Sequence, residues 1–434
     1  MHRTFKQWLS WMEKCHPVEI ELGLERCNRV LKRLLITDFT FPIVTVAGTN
    51  GKGSTVAVIE SLAREANIKP LVLTSPHFLD YRERLRFDGC WLTEQQHINA
   101  FECVELARQT ESLTYFEFST LAALKCAEIL QPDLLILETG LGGRLDAVNV
   151  VAADIAIITT VDFDHQAWLG DDLESIAREK AGIIHENSIA IIADPNFPQL
   201  IINEIKLVSN DLNIANQAYQ QFDKIDSWSW QNNKYGPWEF DFPSFPFANA
   251  AAAIQAWSLL LERFPDMVAE TVVLSEQFIR TALANIILVG RFDIVATDPL
   301  VILDVAHNPQ AFRALRSSLD KHPVKGNTYV VLGMLVDKNV ESCINSIKAL
   351  VDRWYLTDLQ TSRGHSANSL KQLFSHSEID ENRLQCQSSP EAAFRSAYAN
   401  ASKDDRIIVT GSFYTVAPVL ELFQQSSEEP ERVE

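Results

Sequence analysis

The chain has 434 residues, which exceeds the needs of one ordinary core and predicts two domains. Hydrophobic residues make up 47% of the chain and charged residues 22%, which is typical of folded globular proteins and disfavours wholesale disorder or a fibrous repeat. The formal net charge of −19 disfavours non-specific binding to nucleic acids and membrane surfaces, because both partners are polyanions. A locally basic site for an anionic small molecule stays compatible with that charge.

The cysteines and the apolar runs indicate the compartment. The seven cysteines are scattered and contain no Cys-x-x-Cys spacing, which is typical of reduced thiols rather than of disulfides or a zinc site. Residues 1–11 lack the apolar stretch of a signal peptide, and no run reaches the roughly 18 apolar residues of a membrane span. We therefore expect a cytoplasmic protein that is a monomer, with no membrane or nucleic-acid partner.

From residue 41 onward, short β-branched runs alternate with polar turns and helical stretches. Such alternation predicts an α/β domain with a mostly parallel sheet, in which ligand-binding groups lie at the carboxyl ends of the strands. The predicted strands of this domain are residues 43–47, 70–74, 134–138, 155–160 and 189–193.

The alternation is interrupted once and then resumes. Residues 196–246 are rich in Asn, Gln, Trp and Pro and are interpreted as irregular strands and loops, after which Asn249 is expected to cap an Ala-rich helix over residues 250–262. The four strands predicted beyond this point are residues 301–305, 329–332, 353–357 and 406–410. The predicted organisation is a first domain at residues 1–288, a linker at 289–296, a smaller α/β domain at 297–424 and a disordered tail at 425–434.

A Gly-rich segment follows the first predicted strand. It reads Gly-Thr-Asn-Gly-Lys-Gly-Ser-Thr over residues 48–55 and is expected to lead into a helix that begins near Ser54. Glycines let backbone amides approach phosphate oxygens, the helix N-terminus adds positive potential, Lys52 neutralises charge and the Ser54 hydroxyl suits magnesium. The segment departs from the general P-loop, since Gly53 separates Lys52 from Ser54 and Val46 stands where the first glycine would be. We interpret it as a nucleotide-binding loop rather than as a turn without chemistry.

Side chains that could hold a metal follow several of the predicted strands. Ser75 and Glu138, together with Ser54, supply the hard oxygen ligands that magnesium prefers. His165 and Lys180 are less distinctive, because a lone histidine is most often a hydrogen-bonded structural residue and a helical lysine is most often solvated. Residue type alone does not decide whether His165 and Lys180 are such ordinary residues or belong to a functional site.

Ordered motifs along nearly the whole chain resemble one family. The phosphate loop resembles that of the Mur ligase superfamily, and further motifs resemble its folylpolyglutamate synthase branch, including the bifunctional members that also act on dihydropteroate. These motifs are Thr74–His77, Glu83–Arg84, Leu113–Phe118, Glu138–Ala147, Asp164–His165, Trp168–Gly170, Glu179–Gly182, Gly290–Phe292, Asp304–Pro309 and Gly411–Tyr414. The resemblance implies a P-loop-containing, Mur-ligase-like ATPase domain followed by a smaller Rossmann-like α/β domain.

The resemblance also implies an activity, which is ATP-dependent addition of L-glutamate through an acyl phosphate. The acceptors are 7,8-dihydropteroate, giving dihydrofolate, and tetrahydrofolates, giving polyglutamates. ATP is expected to contact Thr49, Asn50, Gly51, Lys52, Gly53, Ser54, Asn249, Arg291 and Asp304. Two magnesium ions are expected to be held by Ser54, Ser75, Glu138 and His165. Lys180 is expected to carry a carbamate formed from carbon dioxide.

The same resemblance assigns the other two substrates. The dihydropteroate or folate pocket is expected to comprise Lys14, Cys15, His16, Pro17, Thr114, Tyr115, Phe116, Glu117, Leu145, Asp146 and Ala147. Glutamate is expected to contact His307 and Ser412, and the residues expected to act in catalysis are Lys52, Glu138, His165, Lys180 and His307. Cys15 and Pro17 stand where the family pattern has leucine and serine, so fewer residues support the dihydropteroate activity than the folate activity.

Several other functions are compatible with parts of this pattern. The nearest are a folylpolyglutamate synthase without the dihydropteroate activity and another Mur-type ligase; a cell-wall precursor ligase would need a uridine-nucleotide domain, which the sequence before residue 41 does not suggest. A P-loop kinase or NTPase would give the second domain no obvious purpose. A catalytically silent nucleotide-binding regulator would be expected to lack Lys52 or Glu138, and both are present.

Overall fold

The computed structural model describes residues 3–35, 39–269, 272–375, 377 and 379–427. The chain forms two compact units that divide between residues 286 and 287. Each unit is built around its own large sheet. Within the described ranges, no helix is both long enough and apolar enough to span a membrane.

Eight strands form the sheet of the first unit. They are β1 Ile43–Ala47, β2 Pro70–Leu73, β3 Leu85–Phe87, β4 Cys90–Trp91, β5 Leu134–Glu138, β6 Ile155–Ile158, β7 Ile189–Ile192 and β8 Asp211–Ile214. Their order is β4-β3-β2-β5-β1-β6-β7-β8, and every neighbouring pair from β2 to β8 runs parallel. Only β3 and β4 form an antiparallel edge. The predicted mostly parallel sheet is confirmed.

Helices pack on both faces of this sheet. They are α1 Phe5–Met12, α2 Glu25–Arg33, α3 Lys52–Glu65, α4 Glu94–Arg108, α5 Tyr115–Leu130, α6 Gln166–Leu169, α7 Leu173–Ala181, α8 Gln199–Val208, α9 Phe247–Arg263 and α10 Glu276–Ala284. One core joins Leu135 to Phe101 and Phe118, and another joins Ile158 to Ile176. The central strands are therefore buried on both sides, which explains their continuous apolar sequence.

The segment at residues 196–246 is more regular than predicted. It contains α8 and β8 and then a separate antiparallel sheet of β9 Tyr219–Asp223, β10 Ser227–Asn232 and β11 Trp238–Asp241. The prediction of irregular structure was therefore wrong for α8. The prediction that Asn249 caps α9 was also wrong, because that helix begins at Phe247 and Asn249 lies inside its first turn.

The second unit contains a six-stranded sheet. Its strands are β12 Asp293–Thr297, β13 Leu300–Asp304, β14 Thr328–Leu332, β15 Arg353–Thr357, β16 Leu384–Gln387 and β17 Arg406–Thr410. The order is β12-β13-β17-β14-β15-β16, and only β12 is antiparallel to its neighbour. The helices are α11 Pro309–Lys321, α12 Val340–Ile347, α13 Ala367–Phe374, α14 Pro390–Asn400 and α15 Phe413–Ser427. The smaller α/β domain predicted from the strand pattern is confirmed.

Two predicted segment limits differ from the structure. Residues 293–296, placed in a linker by the sequence, belong to β12 and pair with β13. Helix α15 continues to Ser427, past the start of the tail predicted at residue 425. The rest of that predicted tail, residues 428–434, lies outside the described residues.

Candidate active site

The phosphate loop joins β1 to α3, and its glycines are required by close neighbours. Gly51 has a φ of +90°, and a Cβ there would lie 2.4 Å from the Oδ1 atom of Asn249. A Cβ on Gly48 would lie 1.8 Å from the Oγ1 atom of Thr159. No larger residue fits either position without movement of a neighbouring side chain. The Lys52 ammonium folds back to donate to the carbonyl oxygens of Gly48 at 3.0 Å and Thr49 at 3.4 Å.

Two threonines that follow β6 form hydrogen bonds with the phosphate loop. Thr159 and Thr160 donate their hydroxyl hydrogens to the carbonyl oxygen of Asn50, at 2.6 and 3.0 Å. The backbone amide of Thr49 donates to the carbonyl oxygen of Thr160 at 2.7 Å. Sequence reasoning missed both threonines, because nothing near them in the sequence indicates a contact with residues more than a hundred positions earlier.

Ser54 and Asn249, both predicted to contact ATP, are in direct contact. The Asn249 amide donates to the Ser54 hydroxyl oxygen at 2.8 Å, and the Ser54 hydroxyl donates to the carbonyl oxygen of Gly51 at 3.1 Å. Both side chains are buried. Helix α9 therefore fixes the first turn of α3, the turn whose amides would face a phosphate.

Glu138, at the end of β5, lies beside the same turn. One of its carboxylate oxygens accepts a hydrogen bond from the Ser75 backbone amide at 3.2 Å, and both oxygens are 3.8 Å from the position of a Cβ on Gly53. Glu138 is only 5% exposed, and a buried carboxylate favours a nearby cation.

The donor set at Glu138 fits magnesium. Ser54 and Glu138 offer hard oxygen atoms, and magnesium usually keeps several waters and binds substrate phosphates besides one or two carboxylates. No group of three or more His, Cys, Asp or Glu side chains in the described ranges is arranged to hold a metal unaided. An ion at this position would therefore depend on phosphate and water oxygens as well as on the protein.

His165 and Asp164 follow β6 and lead into α6. His165 has a φ of +51°, and its Nε2 atom lies 3.9 Å from the Oδ1 atom of Asp164. The same Asp164 oxygen accepts a hydrogen bond from the His165 backbone amide at 2.8 Å. The structure thus places the predicted metal ligand His165 beside an acidic residue at the carboxyl edge of the sheet.

Lys180 is buried in the last turn of α7, so the interpretation of this residue as a solvated surface lysine was wrong. Burial, reinforced by the charge of Lys52, lowers the pKa of Lys180 to about 7, although Asp164 and Asp146 oppose the shift. A substantial fraction of its amine is therefore neutral near pH 7, and a neutral amine is a nucleophile.

The three segments predicted to form the dihydropteroate pocket are joined by hydrogen bonds. Thr114 caps α5 through a reciprocal pair with Glu117, at 2.8 and 3.2 Å. The Nδ1 atom of His16 lies 3.0 Å from the Ser112 hydroxyl oxygen, and the Gly23 amide donates to the carbonyl oxygen of Leu145 at 3.4 Å. The N-terminal segment, the start of α5 and the loop after β5 therefore meet in the first unit.

The loop after β5 is shaped by Asp146. This buried carboxylate accepts hydrogen bonds from the amides of Leu141 at 2.8 Å and Val148 at 3.0 Å. Burial raises the pKa of Asp146 to about 6, against the effect of these hydrogen bonds. The ring of Phe116 packs so closely on Gly140 that a Cβ there would lie 2.9 Å from its Cζ atom.

Other members of the predicted pocket differ in their exposure to solvent. The centre of the Tyr115 ring lies 5.3 Å from the Arg84 guanidinium carbon. Ala147 is buried in the short helical turn that Asp146 caps. Lys14 and Pro17 are exposed, and Cys15 is partly exposed.

In the second unit, the predicted residues lie at the carboxyl edge of the sheet. Asp304 ends β13 and accepts hydrogen bonds from the amides of Phe292 at 2.9 Å and Ala306 at 2.8 Å. Burial raises the pKa of Asp304, and the charge of Arg291 opposes that shift. The Nδ1 atom of His307 lies 2.8 Å from the carbonyl oxygen of Val305.

Ser412 belongs to the same edge, just after β17. Its hydroxyl oxygen accepts a hydrogen bond from the Tyr414 amide at 2.9 Å, and the adjacent Gly411 amide donates to the carbonyl oxygen of Ala306 at 3.0 Å. The helix that follows β13 is capped by Asn308, whose Oδ1 atom accepts from the Ala311 amide at 2.9 Å.

Comparison with known proteins identifies the family to which the chain belongs. Residues 46–256 match the Mur ligase middle domain, and residues 290–413 match the Mur ligase glutamate ligase domain. The dihydrofolate synthase/folylpolyglutamate synthase of Escherichia coli K12 is 39% identical over 416 residues, which cover 96% of this chain and 94% of that protein. This chain belongs to that family of Mur ligases.

Solved structures of family members share the whole fold. The E. coli FolC structure in complex with DHPP and ADP has a TM-score of 0.89 and 38% identity, with 98% of this chain and 99% of that chain covered. A Mn, AMPPNP and L-glutamate complex of a bifunctional folylpolyglutamate synthase/dihydrofolate synthase has a TM-score of 0.86 and 38% identity, with 97% and 98% covered.

Proposed function

We propose that the chain is an ATP-dependent amide ligase of folate metabolism. It adds L-glutamate to 7,8-dihydropteroate, giving dihydrofolate, and to tetrahydrofolates, giving polyglutamates. The observation that carries the proposal is the phosphate loop with Lys52 and Ser54 beside the buried carboxylate Glu138. The names of the related enzymes and their complexes with ADP, AMPPNP, DHPP and L-glutamate supply the substrate classes.

The first chemical step activates a carboxylate. An oxygen of the acceptor carboxylate attacks the γ-phosphorus of ATP, the bond to the β-bridging oxygen breaks, and ADP leaves with an acyl phosphate formed. The loop amides and Lys52 bind the phosphates and offset the negative charge that develops there. The glutamate amine then attacks the acyl carbon, its proton is lost to solvent, and phosphate departs.

We propose the same residues as metal ligands. One magnesium ion would be held by Ser54 and Glu138, and a second by Glu138 and His165, with Ser75 as a further ligand of the metal site. When bound, magnesium supplies additional neutralisation of phosphate charge. Apart from the metal, Asn249 keeps the Ser54 hydroxyl in place, because its amide donates to that oxygen at 2.8 Å.

Lys180 is proposed to carry a carbamate. Its neutral amine would attack the carbon of CO2 and lose one proton, which replaces a buried cation with an anion near Lys52. Burial and the lowered pKa of about 7 support this, because protonated lysine cannot attack CO2. Carbon-13 NMR with labelled bicarbonate should show a carbamate resonance that is absent in Lys180→Met; an unmodified amine in fully active enzyme would overturn this part.

Four residues of the second unit are proposed to bind substrates. Arg291 and Asp304 would contact ATP, and His307 and Ser412 would orient glutamate. We further propose that the protein is a monomer and is cytoplasmic, the latter in keeping with cysteines that form no disulfide bonds.

Phosphate release from ATP tests the proposed function. It is measured with glutamate plus dihydropteroate, with glutamate plus tetrahydrofolate, and with neither pair. Release should require both glutamate and an acceptor, and Lys52→Ala should abolish it, whereas Lys206→Ala on the exposed side of α8 should not. Release without glutamate would indicate an NTPase, and no release would indicate a silent nucleotide-binding protein.

A further inference from the structure

A line of charged side chains connects two of the pocket segments. The Nε2 atom of His16 lies 2.7 Å from a carboxylate oxygen of Glu21, and the other Glu21 oxygen accepts a hydrogen bond from the Arg26 guanidinium. Arg26 also donates to a carboxylate oxygen of Glu117 at 3.0 Å. Ser112 extends the line at the other end, 3.0 Å from His16. The N-terminal segment is thus joined to the start of α5 through ionic hydrogen bonds.

Arg26 is the central member of this line. Its side chain is 17% exposed and that of Glu117 only 4%, so their pair is largely shielded from solvent. Burial opposes protonation of Arg26, but the hydrogen bonds to Glu117 and Glu21 outweigh it and raise the pKa of Arg26. The guanidinium binds the two carboxylates through different nitrogen atoms and also donates to the Glu21 carbonyl oxygen at 3.1 Å. A lysine offers a single nitrogen and cannot reproduce this bridge.

The backbone around Arg26 makes it a suitable anchor. It lies in the first turn of α2, whose residues Cys27 and Val30 are fully buried and which packs on α4 and α5. Residues 15–23, by contrast, contain no helix or strand. Their contacts with other segments include the side-chain hydrogen bonds of His16 and Glu21 and the backbone hydrogen bond from Gly23 to Leu145. Arg26 therefore links this segment to the buried core of the first unit.

The two acceptors differ in the distance between the pterin and the carboxylate that reacts. In dihydropteroate the reacting carboxylate is on the benzoate ring, whereas in a tetrahydrofolate it is one glutamyl residue further from the pterin. If both carboxylates are activated at the one phosphate loop, the two pterins must lie at different distances from it. A pocket wall that is fixed for one pterin position should therefore affect the two activities unequally.

We infer that Arg26, acting with Glu21, is a positioning residue for the use of dihydropteroate. It holds residues 14–17 against Thr114 and Glu117 so that the pocket matches this substrate, without touching the reacting atoms. The inference rests on the proposed function. It adds two residues, Glu21 and Arg26, to the set that determines which acceptor is used.

The test compares KM and kcat for the two acceptors in Arg26→Met and Glu21→Gln. Arg26→Met should raise KM for dihydropteroate about tenfold or more, with both constants for tetrahydrofolate within about twofold of the wild type, since loss of alignment far from the chemistry has effects of that order. Glu21→Gln should give the same selective effect with a smaller amplitude, because Glu21 is half exposed and its loss leaves Arg26 paired with Glu117.

The matched control is Arg29→Met, one turn further along α2. Arg29 pairs with Glu111 at 2.7 and 2.9 Å but is 49% exposed and joins no pocket segment, so this variant should leave KM for both acceptors unchanged. If Arg26→Met fails to fold, Glu21→Gln still tests the selectivity, because it leaves Arg26 paired with Glu117.

The possible results distinguish the inference about Arg26 and Glu21 from the proposed function on which it rests. Equal changes for both acceptors, or no change in the dihydropteroate KM of a folded Arg26 or Glu21 variant, would overturn the inference and leave the proposed function intact. A wild-type enzyme that uses tetrahydrofolate but never dihydropteroate would overturn both the inference and the bifunctional assignment.

Discussion

His97 should make the first unit sensitive to acid. It lies on α4 and is 1% exposed, with its ring 5.3 Å from the centre of Tyr81 and 5.8 Å from that of Phe101. Its buried Nε2 atom has no hydrogen-bond partner in the described part of the chain. Burial lowers the pKa of His97 from its ordinary value of 6.5 to about 4. Protonation of this ring therefore favours the unfolded chain.

The sign and size of the effect follow from these values. A group whose pKa is lowered on folding contributes stability that is complete above pH 6.5 and is lost as the pH falls towards about 4. At pH 5 the unfolded imidazole is almost fully protonated and the native one almost fully neutral, which removes about 2 kcal/mol of unfolding free energy. The ring is almost fully buried, so no reduction for solvent screening is needed.

Urea unfolding of the wild type and His97→Phe at pH 7.5 and pH 5.0 measures this term. Each protein is compared with itself, so the packing difference between His and Phe cancels. The first-unit transition of the wild type should lose about 2 kcal/mol more than that of the variant between the two pH values. The exposed His322→Gln serves as a control and should behave as the wild type. Identical pH dependence of wild type and His97→Phe would refute the reasoning.

Three further predictions concern the phosphate loop and Lys180. Gly51→Ala should weaken ATP binding in calorimetry by at least about tenfold, because a left-handed alanine costs roughly 1–2 kcal/mol and its Cβ would collide with Asn249; unchanged affinity would contradict the loop geometry. Ser54→Ala and Asn249→Ala should show a coupling of about 1 kcal/mol in a double-mutant cycle of unfolding, as expected for one buried hydrogen bond, whereas additive effects would mean that the contact contributes nothing. Lys180→Ala should lose most turnover in the phosphate-release assay and regain part of it with added formate, whose carboxylate replaces the carbamate; full activity without formate would contradict the role of the modified lysine.

The strands were predictable because burial on both faces leaves continuous apolar runs, and β1 and β5 were found at the predicted residues. Helix α8 was missed, since its N-cap is Pro198 and no side-chain cap marks its start. The burial of Lys180 was not visible either, because a single charged residue in a short helix does not show which face meets the core.

The contacts that organise the site were the least predictable part. Arg26 and Glu117 are 91 positions apart, and Asn249 and Ser54 are 195 apart, so neither pair has a local sequence signature. The motifs indicated which residues could bind phosphate, but only the fold shows that α9 supports the loop and that α2 supports the pocket.

Transfer of an isotope from the acceptor tests the central claim most directly. Dihydropteroate labelled with oxygen-18 in its carboxylate is incubated with ATP and glutamate, and the released phosphate is examined by phosphorus-31 NMR. Activation as an acyl phosphate predicts that each phosphate released with dihydrofolate carries one oxygen from the carboxylate, because the C–O bond breaks when glutamate attacks. Phosphate without label, formed together with dihydrofolate, would contradict the proposed mechanism.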